Sequence, residues 1–369
     1  MKTKITLPII ALLLSFSAFA TVRTVSNDPN NPAQYSGIQA AITAANAGDT
    51  IYVEPTTVFI QNGAVQNVGS NYGAITINKR IVLMGSGYNP TKDYAYISTL
   101  SSISFDTSSA VGSVSGASGA VVSGFYIYGS ITTSSNYNVA ARANNITVQR
   151  CWITSSITLP NCNNTTIQQC VIQGASYYGN NTNIALKNNI INAQIYANWE
   201  GSSPVNFVIA NNDFIGYTTS GSTAAYSAFN SSGAILSNAL IANNIFYAVD
   251  PTGAINSTFN NNITFADPND NLPYGNNVGT GNQVGVNPTF VNYPTASANY
   301  SVTYDFHLAA GSPGAGAGTD KTDVGIYGGI GFVPTGAPNI PYIEHFVISN
   351  SYISPGQNLN VSIEAKAQK

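Results

Sequence analysis

Charged side chains are scarce in this chain. Lys, Arg, Asp and Glu make up 7% of its 369 residues, and the formal net charge is −3. Proteins that bind nucleic acid do so largely through basic side chains that contact the phosphates. A sparse and slightly acidic set of charges therefore predicts no nucleic-acid partner.

Long apolar runs are missing after residue 20. No later stretch reaches the roughly 18 apolar residues that a membrane-spanning helix requires. The one apolar run, 5–16, follows two lysines and precedes a small-residue cleavage site at 18–20, which is the pattern of a secretory signal. We therefore predict a signal peptide over 1–20. The mature protein is expected to be secreted, extracellular or on the outer surface, with no membrane span.

The sequence contains a short repeat between Ile146 and Ile263. In each copy apolar and polar residues alternate, an Asn-Asn or Xaa-Cys pair follows, and apolar residues return. Five copies align on one position, which holds Cys151, Cys170, Asn189, Asn212 and Asn244. These positions are separated by 19, 19, 23 and 32 residues. A period near 20 with variable insertions is typical of a solenoid, in which each repeat buries its apolar face against the next.

Alternation with a period of two is typical of β-strands and not of helices. It produces two inward columns, which are Val148, Ile167, Leu186, Ile209 and Ile241, and then Ile153, Ile172, Ile191, Phe214 and Phe246. The polar pair between the columns is too short for a crossover helix, so the chain must bend and continue as another strand. At that bend we expect Asn189, Asn212 and Asn244 to stack as a ladder of amides. The repeat predicts an all-β fold, a right-handed parallel β-helix solenoid.

The chain has only three cysteines, Cys151, Cys162 and Cys170, so at most one internal disulfide is possible. Cys151 and Cys170 occupy equivalent positions in neighbouring coils, about 4.8 Å apart, which a disulfide could bridge. Stacked inward side chains need not point at each other, however. We therefore expect three unpaired, structural cysteines.

The stack resembles the pectin-lyase-like family of secreted right-handed β-helix proteins. Two further segments resemble the ends of such proteins: 36–53 at the start, and 305–318 with 323–329 at the finish. The likeness covers roughly residues 30–330. It implies a fold and not an activity, because this fold is shared by lyases, hydrolases, esterases and non-enzymes.

The β-helix domain is predicted over 21–332, with a short capping helix over 36–47. Ser36 and Gln39 match a capping box, and Gly48 follows as a stop. A helix placed there would cover the open end of the stack and shield its edge strands.

The C-terminal part of the chain changes character. Residues 333–341 are rich in proline and are predicted to form a linker. Residues 342–369 alternate around Pro355-Gly356 and predict a β-hairpin tail.

Catalytic candidates are few. The lyases of the family that the stack resembles use an Arg or Lys base and commonly Ca²⁺. Lys187 is the only Lys or Arg between 151 and 320, and it falls in an exposed outward column. Asp213, one coil further on, could hold a metal or pair with Asp250 as the acid and base of a hydrolase. A surface charge with a nearby carboxylate is the better interpretation, and whether the chain is an enzyme stays open.

Asp320 and Asp323 are the candidate metal ligands. They could offer oxygen atoms to Ca²⁺ in a Gly-rich turn, although two carboxylates three residues apart are a small part of a calcium site. His307 lies in the segment that closes the last coil, and we interpret it as structural.

Aromatic residues concentrate in loops that leave the repeat. The candidate ligand-binding residues are Tyr177, Tyr178, Trp199, Tyr217 and Tyr226. Aromatic faces stack on sugars while their polar tips stay wet; alternatively, these residues pack the loops onto the coils. We expect any ligand to lie on the face that carries the excursions 196–201 and 216–230. The groove would cross the coils that contain Lys187, Asp213 and Asp250.

Three functions follow from these patterns. The first is a monomeric, secreted or cell-surface protein that binds a polysaccharide or cell-surface glycan without catalysis. The alternative is a polysaccharide lyase or glycoside hydrolase that acts on pectin-like or other acidic polysaccharides. The second alternative is a structural or ice-binding surface protein, although the threonines at 132–133, 154 and 158 do not form the long array that ice binding requires.

Overall fold

A computed structural model describes residues 20–61, 64–89, 96–107, 115–133, 143–178, 181–197, 205–216, 226–229, 236–267, 271–294, 298–339, 341–349, 355–356 and 358–367. The predicted signal peptide lies almost entirely outside the described residues. Within them the chain forms 32 strands, one α-helix, α1 (Ile38–Ala44), and a 3-10 helix (Val68–Ser70). None of the described helices is long and apolar enough to cross a membrane.

The strands are short and follow one another closely. In chain order, the strands of the first half are β1 (Val22–Val25), β2 (Thr50–Val53), β3 (Phe59–Gln61), β4 (Ala64–Gln66), β5 (Ala74–Ile77), β6 (Val82–Met84), β7 (Thr99–Leu100), β8 (Ser102–Phe105), β9 (Val121–Ser123), β10 (Tyr126–Ile127), β11 (Ile131–Thr133), β12 (Thr147–Gln149), β13 (Trp152–Ile153), β14 (Ile157–Thr158), β15 (Thr165–Gln168) and β16 (Val171–Ile172). Those of the second half are β17 (Ser176–Tyr177), β18 (Thr182–Lys187), β19 (Ile190–Ile191), β20 (Ile195–Tyr196), β21 (Val205–Ala210), β22 (Asp213–Ile215), β23 (Leu236–Ser237), β24 (Leu240–Ala242), β25 (Ile245–Tyr247), β26 (Ala254–Ile255), β27 (Thr258–Asn260), β28 (Ile263–Phe265), β29 (Phe290–Asn292), β30 (Asp305–Leu308), β31 (Pro341–Ile348) and β32 (Val361–Ala367).

Most strands belong to three long parallel sheets. The ten-stranded sheet has the order β1-β2-β6-β9-β12-β15-β18-β21-β24-β27, the eight-stranded sheet β28-β25-β22-β19-β16-β13-β10-β7, and the six-stranded sheet β20-β17-β14-β11-β8-β5. The chain visits the three sheets in turn, as in β12, β13 and β14, and then returns to the first sheet one strand further along. This is an all-β stack of parallel coils, compatible with the predicted β-helix.

Both predicted inward columns are confirmed. Val148, Ile167 and Leu186 pair in register in the ten-stranded sheet, and Ile153 and Ile172 do so in the eight-stranded sheet. All ten residues of the two columns are at most 1% exposed. A fully buried aliphatic or aromatic side chain stabilises a fold by about 1.5–3 kcal/mol, so these columns make up much of the core.

The asparagine ladder is also confirmed, and it is longer than predicted. Asn189 donates its backbone N–H to Oδ1 of Asn212 at 3.0 Å, and Asn212 donates in the same way to Asn244 at 2.9 Å. The side-chain Nδ2 of Asn212 donates to Leu186 O of the preceding coil at 3.0 Å. The ladder continues through Asn262 to Asn282, and Cys170 N–H joins it by donating to Asn189 at 2.9 Å.

All three cysteines are unpaired and buried, as predicted. Cys170 Sγ accepts from the Cys151 N–H at 3.5 Å, so a thiol takes the place of the amide oxygen in the first rung.

The residue that precedes each ladder position has a left-handed backbone conformation. This second column contains Arg150, Gln169, Asn188, Asn211, Asn243 and Asn261, all with φ between 52° and 58°. Asparagine adopts that conformation more readily than most residues. The left-handed residue turns the chain from the ten-stranded sheet into the eight-stranded sheet within two residues, and its side chain points outward.

Those outward side chains bind a segment that we call the C-terminal strap (298–339). Each one donates a hydrogen bond to the strap, and successive coils bind successive strap positions. The pairs are Asn261 with Ala317, Asn243 with Thr319, Asn211 with Asp323 and Gly325, Asn188 with Ile326 and Gly328, Gln169 with Gly331, and Arg150 with Ala337 and Asn339. The strap therefore runs back along the stack from the last coil toward the first.

The strap covers the outward face of the eight-stranded sheet. Trp152 and Val171 of that face are buried with Tyr300 and Phe306 of the strap in a second apolar cluster. The rings of Trp152 and Tyr300 meet edge to face at 5.2 Å. An outward column that alternation alone assigns to solvent is thus part of a core.

Residues 333–339, which the sequence predicts as a linker, contact the stack. Tyr88 donates its backbone N–H to Thr335 O at 3.1 Å. Arg150 donates to Ala337 O at 2.9 Å and to Asn339 Oδ1 at 2.6 Å. Beyond this segment β31 and β32 form the predicted antiparallel hairpin.

The N-terminal helix is shorter than the predicted 36–47, and its predicted cap is wrong. The helix begins after Gly37, which makes no side-chain cap, so Ser36 and Gln39 do not form a capping box. Gln39 instead accepts from Thr76 N–H at 2.8 Å and donates to Thr76 O at 3.2 Å. Its amide therefore satisfies backbone groups on the edge strand β5, where a further strand would otherwise pair.

Replacing Asn212 with Leu should lower the free energy of unfolding by about 1–3 kcal/mol, because buried donors and acceptors of two coils lose their partners. Asn282→Leu is the matched control: Asn282 is the last rung of the ladder and is partly exposed, so water can replace its bonds and the loss should be smaller. Urea unfolding of the two variants gives the comparison. Equal stability of wild type and Asn212→Leu would contradict a stabilising ladder.

Candidate functional site

The outward face of the six-stranded sheet presents a column of hydroxyl and aromatic residues. Strand pairing places Thr76, Ser104, Thr132, Thr158, Tyr177 and Tyr196 in register along this column. The inward neighbours Ile103, Ile131 and Ile157 are fully buried. Four consecutive coils thus have threonine or serine at this position, and the next two coils have tyrosine.

Tyr196 is partly exposed at the end of this column. Its hydroxyl donates to Gln194 Oε1 at 3.0 Å, and Gln194 Nε2 donates to Ser227 O at 3.0 Å. These bonds fix the ring of Tyr196 on the sheet. The register position next to it, on β17, belongs to Tyr177.

The described ends of the two predicted excursions lie at the flanks of this sheet. The first leaves after β20, at the corner where the chain passes from the six-stranded sheet to β21 of the ten-stranded sheet. The second leaves after β22 of the eight-stranded sheet. The chain then returns to the six-stranded sheet at Phe229, which bridges to Ile195. The excursions therefore attach at the two flanks of one sheet. Trp199 and Tyr217, the ligand-binding candidates within them, lie outside the described residues.

Tyr178 is not a surface residue available to a glycan, so its prediction as a ligand-binding residue is wrong. Tyr178 is 0% exposed and packs edge to face on Phe207 at 5.7 Å. Tyr226 packs against the main core and donates its hydroxyl to Ile215 O at 2.9 Å. Burial raises the pKa of both phenols. For Tyr178 the alternative interpretation, packing onto the coils, is correct, whereas Tyr226 is partly exposed and its role stays a prediction.

Lys187, Asp213 and Asp250 do not share a groove, which corrects the predicted site. Lys187 is exposed on the ten-stranded sheet, and Asp213 lies on the eight-stranded sheet beneath the strap. Asp250 bridges to Ser227, beside the six-stranded sheet, and accepts from Thr252 N–H at 2.8 Å. The three side chains thus belong to three different faces of the coil.

Asp213 is a buried carboxyl group, 0% exposed. Its Oδ1 accepts from the Ile326 N–H of the strap at 3.3 Å, and its Oδ2 has no partner among the described residues. Burial raises the pKa of Asp213 well above its ordinary value. The strap passes so closely that a Cβ on Gly325, where φ is +91°, would collide with Asp213 Oδ1. Asp213 therefore cannot anchor a ligand at the surface.

Asp320 and Asp323 use their oxygens within their own turn. Asp320 Oδ1 accepts from the Thr322 N–H at 3.0 Å and from its hydroxyl at 2.6 Å, and Asp323 Oδ1 accepts from Gly316 N–H at 2.9 Å. Bonds from Thr322 lower the pKa of Asp320. No cluster of three or more His, Cys, Asp or Glu residues that could hold a metal occurs in the described part of the chain.

His307 stacks on Tyr327 with ring centroids 3.6 Å apart, and its Nδ1 lies 2.6 Å from Asp305 Oδ1. These three residues join two parts of the strap, which agrees with the structural interpretation of His307. Desolvation by itself would raise the pKa of Asp305. The hydrogen bonds that Asp305 accepts from His307 outweigh this effect, so the pKa is lowered.

Sequence reasoning missed Arg150, which lines a cavity between the stack and the strap. The repeat identifies Arg150 as equivalent to Gln169 and Asn188, and a cation in a column of amides is an anomaly that could have drawn notice. Nothing in the local pattern indicates that a distant segment encloses it.

No model of a known protein family matches this chain, and no curated protein sequence matches it either.

Asp213→Asn should stabilise the protein at neutral pH and reduce the dependence of its stability on pH. In the unfolded chain this carboxyl has a pKa of about 3.9, which is below its raised pKa in the folded state. As pH rises through that window only the unfolded chain releases the proton, so the wild type loses stability until the folded pKa is reached. Urea unfolding from about pH 4 to about pH 7 compares the two proteins.

Asp320→Asn is the control for this comparison. The pKa of Asp320 is lowered in the folded state, so its effect on the pH dependence of stability is opposite to that of Asp213. The ionised Asp320 stabilises the fold above the pKa of the unfolded chain, and this stabilisation is lost as pH falls. An Asp213→Asn protein whose stability follows the same pH curve as the wild type would show that this carboxyl is not buried by the strap.

Proposed function

We propose that this protein is a secreted, right-handed parallel β-helix of the pectin-lyase-like kind that binds a glycan without cleaving it. The site is the outward face of the six-stranded sheet around Tyr196. The signal-peptide pattern at 1–20 supports export, and the coil-by-coil path through three parallel sheets supports the fold. We propose that the protein acts as a monomer.

The observation that carries this proposal is the register of Tyr177 and Tyr196 beside Thr158 and Thr132. An aromatic ring stacks on the apolar face of a sugar, while neighbouring hydroxyls and amides bond its hydroxyl groups. Adjacent coils repeat these groups at roughly 4.8 Å along the axis. Such a linear arrangement suits an extended chain of sugars.

Binding is preferred over catalysis because the candidate catalytic groups are dispersed. General acid–base chemistry requires the acid and the base to reach the same bond of the substrate. Lys187 and Asp250 lie on different faces, and Asp213 is enclosed by the strap. We therefore propose binding first and keep a lyase or hydrolase that acts on acidic polysaccharides as the alternative.

Ice binding is a second candidate, and one observation favours it. Thr76, Ser104, Thr132 and Thr158 align in register on four consecutive coils. The hydroxyl array is thus longer than the threonines alone indicate, because Ser104 occupies one of its positions. Inhibition of ice recrystallisation by the purified protein, removed by Thr132→Tyr with Thr158→Tyr, would favour this candidate.

Tyr196→Ala should weaken glycan binding by about two- to tenfold, because aromatic stacking contributes about 0.5–1.5 kcal/mol beyond area burial. The purified protein is first screened against plant and algal polysaccharides for retention and for new reducing or unsaturated ends. Retention of the best ligand by wild type and variant is then compared in affinity gels.

Tyr96→Ala is the matched control, because Tyr96 is 52% exposed and packs against Phe59 of the β3 hairpin, away from the six-stranded sheet. A Trp199→Ala, Tyr217→Ala double variant tests the two flanking excursions in the same assay. Unchanged retention by Tyr196→Ala would place the ligand elsewhere, and new chain ends in the screen would favour the lyase or hydrolase.

A further inference from the structure

A cavity of about 480 Å³ lies where the strap passes the coils of Arg150 and Gln169. Its polar lining consists of Gln149, Arg150, Gln168, Gln169 and Asn339. At the later coils the outward asparagines bind the strap directly, as Asn188 does at 2.6–2.8 Å. Here the corner positions hold the longer side chains of Gln169 and Arg150, which reach Gly331 and Ala337 across the gap.

Arg150 is a cation without an anion. It is 8% exposed, and its three hydrogen bonds go to neutral acceptors: Gln169 Oε1 at 2.9 Å, Ala337 O at 2.9 Å and Asn339 Oδ1 at 2.6 Å. The described residues form two ion pairs, Arg23 with Asp49 and His307 with Asp305, and Arg150 belongs to neither. A largely buried charge normally has a partner of opposite sign, because taking it out of water is costly.

The cavity also contains unused hydrogen-bond donors. Nη2 of Arg150 has no partner among the described residues, since the bonds of this side chain are made by Nε and Nη1. Gln149 uses Oε1 to accept from Gln168 at 2.9 Å, which leaves its Nε2. Asn339 uses Oδ1 to accept from Arg150, which leaves its Nδ2.

No carboxylate lines this cavity in the described part of the chain. The free side-chain groups that line it are one guanidinium edge, two amide N–H₂ groups and one amide oxygen, Gln168 Oε1, so donors outnumber acceptors. Donors around a positive charge match the acceptor oxygens of a carboxylate, sulfate or phosphate. The volume exceeds that of a bare ion and lies in the range of small-molecule sites.

We propose that this cavity is a binding site for an oxyanion, either a free ion or one carried on a molecule of up to about the size of a monosaccharide, and that Arg150, Gln149 and Asn339 hold it. The site is separate from the glycan face around Tyr196, because Arg150 and Gln149 belong to the ten-stranded sheet and its corner. Its occupant would connect the stack to the strap, since Asn339 belongs to the strap and Gln149 to β12. Ligand binding should therefore also stabilise the strap.

Isothermal titration at low ionic strength tests the site with four probes: inorganic sulfate, inorganic phosphate, glucuronate and glucose. The wild type should bind at least one of the three anions but not glucose, and raising the salt concentration should weaken binding. Preference for glucuronate identifies an organic anion as the occupant, whereas equal or tighter binding of sulfate or phosphate identifies a free ion. Either result supports an oxyanion site, and no binding of any anion overturns it.

Gln149→Glu is the decisive variant. It leaves Arg150 and its bonds to the strap in place, and it puts a carboxylate beside the guanidinium, so the cavity contains its own anion. Anion affinity should fall at least about tenfold, while the melting temperature stays equal or rises. Arg150→Gln should lose affinity similarly, and its melting temperature shows whether the strap is still bound.

Lys187→Gln is the matched control, because Lys187 lies in the same outward column as Gln149 and Gln168 but does not line the cavity. Removal of this exposed charge should change anion affinity by less than about threefold. Anion binding that is equal in wild type and Gln149→Glu, or that depends on Lys187 as much as on Arg150, would contradict the proposed site.

Discussion

The two-residue corner between the ten-stranded and eight-stranded sheets is the constraint on which the rest of the structure depends. Its first residue adopts the left-handed conformation and directs its side chain outward, and its second residue directs an amide or thiol inward. The inward group accepts the backbone N–H of the preceding coil, so each corner fixes the position of the next. Asparagine suits both positions, because it tolerates positive φ and can donate and accept at once.

Register between coils follows from this corner. Once Asn212 lies over Asn244, Ile209 must lie over Ile241 and Phe214 over Phe246. The rings of Phe214 and Phe246 accordingly stack with centroids 4.8 Å apart. A slip of one residue would turn every inward side chain outward. The polar ladder and the apolar columns therefore specify the same alignment, which is the consistency that a uniquely folded sequence needs.

The outward side chain of the corner gives the fold its second layer. Asn188 and Asn243 donate to the strap and bind it along the stack, and the strap then covers the eight-stranded sheet. The cavity at Arg150 forms where the strap passes the longer corner side chains of Arg150 and Gln169. Binding functions on such a solenoid thus depend on which faces the return segment covers, and not on the coils alone.

The sequence by itself determined the strands, the inward columns, the unpaired cysteines and the ladder, since each depends on a local alternation repeated at a fixed spacing. It also indicated the C-terminal hairpin. Only the tertiary structure decided which outward residues are exposed, because the segment that buries Asp213 is 113 residues away at Ile326. The strap also encloses Arg150, whereas Tyr178 is buried by the main core itself, where it packs on Phe207. A period of two fixes the side of the strand on which a residue lies, but it carries no information about what packs against that side.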